Sequence, residues 1–310
     1  MNQFITNFVS IAGNTVIDIP LKGIDVPGPA SFEFAGNVDI MKQPVTPLLG
    51  GCGASVAYIL GALGQSVFLN TNIGKDSWGQ LATHWLDSVG VKMCPTLHQD
   101  TAVHVIMLDG EGRRQSHYYL GEKVHWERSL YLDPPFVFYT SGYGAVDSDD
   151  LQKLCKVFSK LRENGANIVF DISPWFAGRV CRSLMVEVFK YVDYLIGTED
   201  ELRVWHEGKT LSVLADKFLR SGVKYVVIKR GCRGAYGASQ FGEEVNAKVI
   251  PSAQRYTVGA GDSFNGRLLF GVCREEIFSE SVQQAANFAT RIVNIARGAL
   301  GAMNMSLTGD

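Results

Sequence analysis

Short apolar segments that alternate with helical patterns constrain the fold of this chain more than any other feature. Each segment is bounded by glycine or polar residues, as are strands that are buried in a parallel sheet. The helical patterns between them supply the crossovers that parallel strands need. The segments are residues 7–12, 67–71, 136–142, 168–171, 193–197 and 225–229. The sequence therefore predicts an α/β fold, with a mostly parallel central sheet and helices on both faces.

Composition limits the possible classes of protein. The chain has 310 residues, 46% hydrophobic and 19% charged, which is typical of a globular protein with a large core. Its net charge of -2 favours neither nucleic acid nor an anionic membrane as a partner. We see no interdomain linker, signal peptide or membrane-spanning run, and expect one cytoplasmic domain over residues 1–310. The six scattered cysteines form no C-x-x-C pair and are expected to be free thiols.

A glycine-rich turn near the end of the chain carries the strongest chemical signal. Gly259, Ala260, Gly261 and Asp262 precede an apolar helical run at 267–272. The first N–H groups of a helix have no internal partner and, with the helix dipole, make an anion site. A carboxylate beside that site suits phosphoryl transfer, because it receives the proton of an attacking hydroxyl. The alternative is that Asp262 is only a helix-start residue.

Two motifs resemble the signatures of a known family. The stretch Thr257-x-Gly259-Ala260-Gly261-Asp262 resembles the C-terminal signature of the ribokinase-like (PfkB) carbohydrate kinases. Gly50-Gly51-Cys52-Gly53-Ala54-Ser55-Val56-Ala57, followed by Leu63-Gly64, resembles the N-terminal signature. The resemblance implies a ribokinase-like fold with a small β lid. It also implies transfer of the γ-phosphoryl group of ATP to a sugar hydroxyl, with Mg²⁺, Asp262 as base and the 259–262 backbone as anion hole.

The predicted substrate residues follow the first strand and open the first helix. Asn14 and Asp18 come after that strand, and ligands bind off the carboxyl ends of parallel strands. The resemblance implies that Asp18 binds sugar hydroxyls and that Gly50 and Gly51 let the main chain approach the sugar. Ser55 stands where the family commonly has Asn. The alternatives are an exposed turn at Asp18 and a simple loop before the helix.

The resemblance also implies a nucleotide site. Thr198 and Glu201 match the family's N-x-x-E with Thr in place of Asn, and Glu201 is expected to act on magnesium through water. The alternative is a solvated acidic helix start. A glycine turn, a cation near the phosphates and an adenine pocket complete the expected site. Its residues are Gly231, Gly234, Lys229 or Arg230, Thr257 and Asn287, with Ala286 and Ala299.

Two insertions, about 15–48 and 98–125, are expected to form the lid. Residues 102–108 and 115–120 flank a glycine turn and predict a hairpin. Its open edge suggests a homodimer through the lid. His104 and His117 are interpreted as ordinary strand histidines rather than metal ligands. Elsewhere, Ser77 is predicted to cap the next helix, and 244–251 is predicted to be the last strand.

Two departures from the family pattern concern specificity. Trp175 stands where the D-x-N-x-R pattern beginning at Asp171 has arginine, which argues against a 2-keto-3-deoxygluconate-type substrate. Tyr256 stands where many relatives carry an acidic residue that helps to hold a monovalent cation. We therefore expect little activation by potassium.

Several functions remain open at this stage. A sugar kinase is the first hypothesis, and a nucleoside kinase of the same fold is the alternative within enzymes. A non-catalytic sugar-binding or nucleotide-binding relative is a third. A nicotinamide dehydrogenase lacks its G-x-G-x-x-G after the first strand, where Gly13-Asn14-Thr15 stands. The sequence names neither the sugar nor the hydroxyl that is phosphorylated.

Overall fold

A computed structural model describes residues 8–23, 41, 43–109, 113–131, 135–144, 146–253 and 257–305. The strands are β1 (Val9–Ala12), β2 (Val16–Lys22), β3 (Leu48–Gly50), β4 (Val67–Gly74), β5 (Lys92–His98), β6 (Ala102–Leu108), β7 (Arg114–Tyr119), β8 (Val137–Ser141), β9 (Asn167–Asp171), β10 (Tyr194–Thr198), β11 (Tyr225–Lys229), β12 (Ala235–Ser239) and β13 (Glu244–Ala247). The α-helices are α1 (Cys52–Ala62), α2 (Ser77–Ser88), α3 (Ser148–Glu163), α4 (Arg182–Phe189), α5 (Glu199–Arg203), α6 (Leu211–Leu219), α7 (Ala260–Cys273) and α8 (Phe278–Ile295).

Nine strands form the large sheet, in the order β13-β12-β11-β10-β9-β8-β1-β4-β5. The seven strands from β11 to β5 run parallel, and β12 and β13 are antiparallel additions at one edge. Strand β1 lies between β8 and β4, with Val9 opposite both Val137 and Val67. The predicted α/β fold with a mostly parallel sheet is confirmed.

The core lies on both faces of this sheet. In β8, Val137 and Tyr139 pack in the core formed with α1, α7 and α8, while Phe138 packs in the core formed with α3, α4 and α6. Side chains of successive strand residues point to opposite faces, so a strand covered on both sides is apolar throughout. This explains why the strand segments are continuous apolar runs.

The lid is a separate four-stranded sheet in the order β3-β2-β6-β7. Strands β2 and β6 are parallel, and β6 and β7 form the antiparallel hairpin that the sequence predicts. Strands β2, β6 and β7 lie within the expected insertions 15–48 and 98–125, whereas β3 begins at Leu48 and continues two residues beyond the first of them. Residues 24–40, 42 and 110–112 of these insertions lie outside the described part of the chain. Strand β7 is an edge strand.

The structure differs from the sequence predictions in several local features. The N-cap of α2 is Asp76 and not Ser77, because the Asp76 carboxylate accepts hydrogen bonds from the Gly79 N–H and from Thr101. The last strand ends at Ala247, four residues earlier than predicted. Strand β12 was not predicted as a separate strand. Among the described residues, none of the helices is both long and apolar enough to cross a bilayer.

Candidate functional site

One edge of the large sheet collects polar residues from several strands. Asp171, Thr198 and Lys229 are the last residues of β9, β10 and β11, and Asn14 follows β1. Because these strands are parallel, their carboxyl ends meet at the same edge. The inner face of the lid sheet lies opposite. Together the two sheets and the start of α7 enclose a cavity of about 800 Å³.

The start of α7 forms the floor of this cavity. Gly259 is the N-cap and has φ 80°, a left-handed conformation that favours glycine. A Cβ on Gly259 would also lie 2.9 Å from the Gly298 Cα. The N–H groups of Gly261 and Asp262 have no backbone acceptor among the described residues, whereas the Ser263 N–H bonds to the Gly259 carbonyl. Two free donors at a helix N-terminus can hold an anion.

Asp262 lies beside these donors and lines the cavity. Desolvation, and then the negative charge of Asp171, raise the pKa of Asp262 from its ordinary 3.8 to about 7, although the Lys229 ammonium acts in the opposite direction. No described residue donates a hydrogen bond to its carboxylate. A carboxylate with a pKa near neutral and no fixed partner is suited to accept a proton from a ligand.

Lys229 is held against α7 by a buried polar network. Its Nζ lies 3.0 Å and 3.1 Å from the two Asp171 oxygens and 3.4 Å from Asn265 Oδ1. The Asn265 amide donates to Asp171 Oδ2 at 2.7 Å and to the Tyr139 hydroxyl at 3.1 Å. Burial alone lowers the pKa of Lys229, but the carboxylates of Asp171 and Glu201 reverse this effect and raise it. Lys229 therefore stays charged beside Gly261, where an added Cβ would lie 3.9 Å from Nζ.

Thr198 and Glu201 form a capping box at the start of α5. The Thr198 N–H donates to Glu201 Oε2 at 2.7 Å, and the Glu201 N–H donates to Thr198 Oγ1 at 3.3 Å. The Tyr143 hydroxyl donates to Glu201 Oε1. Thr198 lines the cavity, whereas Glu201 is buried behind it.

The expected magnesium ion can be tested against these residues. The part of the chain that the structure describes contains no cluster of three or more metal-ligating side chains. Magnesium needs no such cage, because it keeps several waters and takes its other ligands from one or two carboxylates and substrate phosphates. Each Glu201 oxygen accepts one hydrogen bond and keeps a second lone pair, so the chemistry of Glu201 fits a role through water, although the residue itself does not line the cavity.

Asn14 joins the floor of the cavity to the lid. Its Oδ1 accepts from the Cys52 N–H and from the Cys52 thiol, both at 3.1 Å. Its Nδ2 donates to the Tyr118 hydroxyl of β7 at 2.8 Å. Burial raises the pKa of the Cys52 thiol to about 12, so this group remains a protonated donor. These contacts fix the orientation of the Asn14 amide in the cavity wall.

Asp18 projects into the cavity from the lid and not from the end of the first strand. It lies within β2, opposite His104 of β6, and its Oδ1 is 3.2 Å from His104 Nδ1. Gly50 lies behind it, and a Cβ there would fall 2.5 Å from the carboxylate. Gly51 lines the cavity at the N-cap of α1, with φ 83°. Gly50 thus provides space for Asp18 rather than a surface of the cavity.

The predicted nucleotide residues are only partly brought together. Gly231, Gly234 and Thr257 line the cavity, near an apolar wall from the end of β13 and from α8. This wall contains Val249, Pro251, Ala286, Ala289, Thr290 and Val293. Asn287 does not line it: the residue is exposed on α8 and accepts a hydrogen bond from Gln283. The lining face is that of Ala286 and Ala289, because neighbouring helical residues point in different directions.

Ser55, Arg255 and Tyr256 complete the account of the predicted residues. Ser55 is fully buried in α1 and donates to the Leu49 carbonyl, so it does not line the cavity. Arg255 and Tyr256 lie outside the described residues. The expected weak response to potassium stays a prediction.

The structure adds cavity residues that the sequence predictions did not select. They are Cys52, His104, Arg114, Tyr118, Tyr143 and Asp171. The alternation of β6 and β7 contained part of this signal, because 104 and 106 of β6 and 114, 116 and 118 of β7 share one face of the lid sheet. Which of the two faces meets the cavity depends on how the lid packs, and periodicity does not provide that information.

Comparison with known proteins shows the family to which this chain belongs. A family described as pfkB family carbohydrate kinase matches residues 21–304. The chain belongs to this family. A 5-dehydro-2-deoxygluconokinase of Lacticaseibacillus casei is 24% identical over 240 residues, covering 72% of this chain and 73% of the relative. Fructokinase-2 of Oryza sativa subsp. japonica is 25% identical, covering 96% and 91%.

Other matches are partial or structural. The chain spans about half the length of the 5-dehydro-2-deoxygluconokinases of Listeria monocytogenes. The solved Arabidopsis thaliana ribokinase, complexed with ribose and ATP, superimposes with a TM-score of 0.76 at 19% identity, covering 97% of this chain and all of that one. The fold is therefore ribokinase-like, and the prediction of a carbohydrate kinase is confirmed at the level of the family.

Proposed function

We propose that this member of the family transfers the γ-phosphoryl group of ATP to a hydroxyl of a sugar, with Asp262 as the general base. The observation that carries the proposal is the position of Asp262. Its carboxylate, with a pKa raised to about 7, stands beside two free N–H groups at the start of α7 and lines the cavity. The proton acceptor and the anion site thus occupy one helical turn.

The transfer follows from these positions. As the O–H bond of the sugar hydroxyl breaks, its proton passes to Asp262. A bond forms between that oxygen and the γ-phosphorus, and the bond to the bridging oxygen of ADP breaks. The N–H groups of Gly261 and Asp262 stabilise the charge on the phosphoryl oxygens, and the Lys229 ammonium adds positive charge beside them.

The donor nucleotide would occupy the part of the cavity bounded by β11, β13 and α8. Gly231 and Gly234 leave space for phosphates, and the apolar wall with Ala286 and Ala289 takes the adenine ring. Magnesium, when bound, neutralises phosphate charge. Glu201 would hold it through water, and Thr198 would contact the phosphates.

The acceptor would lie between Asp262 and the lid. Asp18 and Asn14 present a carboxylate and an amide to this region, and both groups bind sugar hydroxyls well. The printed names of the relatives include kinases of deoxygluconates and of fructose, and the solved relative holds ribose. These names support a sugar or a sugar acid as the acceptor. We further propose that the enzyme acts in the cytoplasm.

The test is phosphoryl transfer from γ-labelled ATP to a panel of ketoses, aldoses, sugar acids and nucleosides. We expect a labelled product with at least one sugar or sugar acid. Asp262→Asn should lower kcat by about 10²-fold to 10⁴-fold, the usual effect of losing a general base. Asp216→Asn, a surface change that also removes one carboxylate, is the matched control and should behave as wild type.

Unchanged turnover in Asp262→Asn would remove this residue from the mechanism. Transfer to nucleosides alone would replace the sugar with a nucleoside as the acceptor. Binding of ATP and sugar without any transfer would indicate a non-catalytic member of the family.

A further inference from the structure

The inner face of the lid carries a cation that the reaction described above does not use. Residues at alternating positions of the β6–β7 hairpin face the cavity, and they include His104, Arg114, Ser116 and Tyr118. Asp18 lies on the same face, opposite His104. This face lies across the cavity from the strand ends. It would therefore contact the part of the acceptor that does not react.

The Arg114 guanidinium is turned back along the hairpin towards Asp18. Its Nε donates to the Ser116 hydroxyl at 3.0 Å, and one terminal nitrogen lies 3.4 Å from His104 Nε2. A guanidinium can only donate, so His104 Nε2 must accept. The other ring nitrogen, His104 Nδ1, lies 3.2 Å from Asp18 Oδ1. The row Asp18–His104–Arg114 thus places an imidazole between one carboxylate and one guanidinium.

Arg114 has no carboxylate partner among the described residues, and part of its fork remains available. The charged groups that line the cavity are Asp18, Asp171, Asp262, Lys229 and Arg114. Lys229 is already paired with Asp171. Among the described lining residues, Arg114 is therefore the cation that can still pair with a ligand on the acceptor side.

The charge balance indicates what kind of anion fits. At the lid, one positive Arg114 stands near one negative Asp18. A ligand with a single negative charge gives this end of the cavity a net charge of about minus one. A phosphate ester with two negative charges would be repelled more strongly by Asp18. A planar carboxylate also matches the guanidinium fork in a bidentate pair.

We infer that Arg114 binds the carboxylate of the acceptor, so that the preferred substrates are sugar acids of the aldonic or keto-aldonic class. This inference rests on the proposed sugar-kinase function. The sequence argued against one acidic substrate because Trp175 replaces an arginine after β9. The lid supplies a different arginine, on another wall of the cavity.

The experiment pairs substrates that differ in the carboxylate. Gluconate, 2-ketogluconate and 5-ketogluconate are compared with fructose, glucose and sorbitol, and fructose 6-phosphate provides the phosphate arm. The variants are Arg114→Met, Arg114→Lys and, as a charge-matched control, Arg220→Met, whose side chain is 79% exposed. We expect wild type to prefer a sugar acid.

Arg114→Met should lower kcat/KM for the sugar acid by about 10-fold to 100-fold, mainly through KM, as for loss of a charged hydrogen bond. The kcat/KM of Arg114→Lys for the sugar acid should lie between those of wild type and Arg114→Met. The kcat/KM of Arg220→Met should match that of wild type. Turnover of any neutral sugar should fall much less than turnover of the sugar acid, and circular dichroism should show that Arg114→Met is folded. Equal losses on acidic and neutral substrates would overturn the inference, as would a wild-type preference for neutral sugars or for fructose 6-phosphate.

Equilibrium dialysis separates this inference from the proposed function. If labelled gluconate or ketogluconates bind to wild type and are lost in Arg114→Met without any phosphoryl transfer, the carboxylate subsite stands and the kinase reaction fails. If transfer occurs and depends on Asp262 but sugar-acid binding is the same in both proteins, the kinase stands and the subsite fails.

Discussion

At the scale of single residues, the ionisation of Asp262 makes a direct prediction about pH. Its pKa is raised to about 7, so the carboxylate is protonated below this pH and cannot accept the sugar proton. We expect kcat/KM to rise with pH up to about 7 and then to level off. Below that point it should fall about tenfold per pH unit, as for one essential base. The measurement is kcat/KM for the acceptor across pH 5 to 9.

Variants of Asp171 and Lys229 test whether Asp262 is the group that titrates in this pH profile. The negative charge of Asp171 raises the pKa of Asp262, and the Lys229 ammonium lowers it. Asp171→Asn should therefore move the midpoint of the profile to lower pH, and Lys229→Met should move it to higher pH. A midpoint that stays in place in both variants would mean that another group titrates.

Asp18 gives a second prediction at this scale. Asp18→Ala removes a carboxylate that lines the cavity from the lid, on a different element from the apolar wall of α8. We expect KM for the sugar to rise at least tenfold while KM for ATP changes little, since about 1.5–3 kcal/mol is typical of a hydrogen bond to a charged group. Steady-state kinetics with each substrate varied in turn is the measurement. Equal increases in the two KM values would contradict the assignment.

At the scale of elements, the start of α7 depends on one glycine. Gly259→Ala would place a Cβ 2.9 Å from the Gly298 Cα in a residue with φ 80°. We expect the free energy of unfolding to fall by roughly 1–3 kcal/mol from the strained backbone alone, and more from the clash. Activity should also fall, because the two free N–H groups shift. Chemical denaturation and kcat measure the two effects.

The matched control for this change is Gly64→Ala. Gly64 has φ 81°, but nothing lies within 4 Å of an added Cβ, and it is outside the cavity. Gly64→Ala should lower the free energy of unfolding through backbone strain alone, with no clash and no loss of activity. If both variants lose the same stability and keep full activity, the close contact with Gly298 is unimportant.

The elements also show how far the sequence determined the structure. The apolar strands, the β6–β7 hairpin and the helix after Gly261 were predictable because burial and turn chemistry are local signals. Strand β12, with the sequence Ala-Tyr-Gly-Ala-Ser, was not predicted because small residues have weak strand preference and its pairing with β11 decides its structure. The cap of α2 was misplaced by one residue, because Asp76 is also fixed by distant Thr101.

The candidate site divides in the same way. Gly259, Gly261 and Asp262 lie within four residues of one another, so their position together at the start of a helix could be predicted from the sequence. Arg114 and His104 were not selected, because their role depends on the packing of one sheet against another. Asn287 and Ala286 were both expected on the cavity wall, and only Ala286 lines it, since one residue along a helix changes the direction of the side chain by about 100°.

At the scale of the whole molecule, the open edge of the lid supports the prediction of a homodimer. No other strand among the described residues pairs with the outer edge of β7, and Tyr119 is 53% exposed, while Tyr118 faces the cavity. An uncovered edge strand with an exposed aromatic side chain favours pairing with a second copy. We expect wild type to have the mass of a dimer and Tyr119→Glu to have that of a monomer.

Light scattering coupled to size exclusion is the measurement, with Phe241→Glu as the control. Phe241 is an exposed aromatic residue outside the lid, and its replacement should leave the mass unchanged. A monomeric wild type at high concentration would refute the prediction.

The separation of the molecule into two sheets has a consequence for how such enzymes diverge. In the proposed reaction, the groups that move the phosphoryl group come from strand ends and from α7, whereas much of the surface that faces the acceptor comes from alternating positions of one hairpin. Replacements at those hairpin positions would then change which molecule is accepted without changing the groups that transfer the phosphoryl group. We expect enzymes built in this way to acquire new substrates through a few changes in a single hairpin.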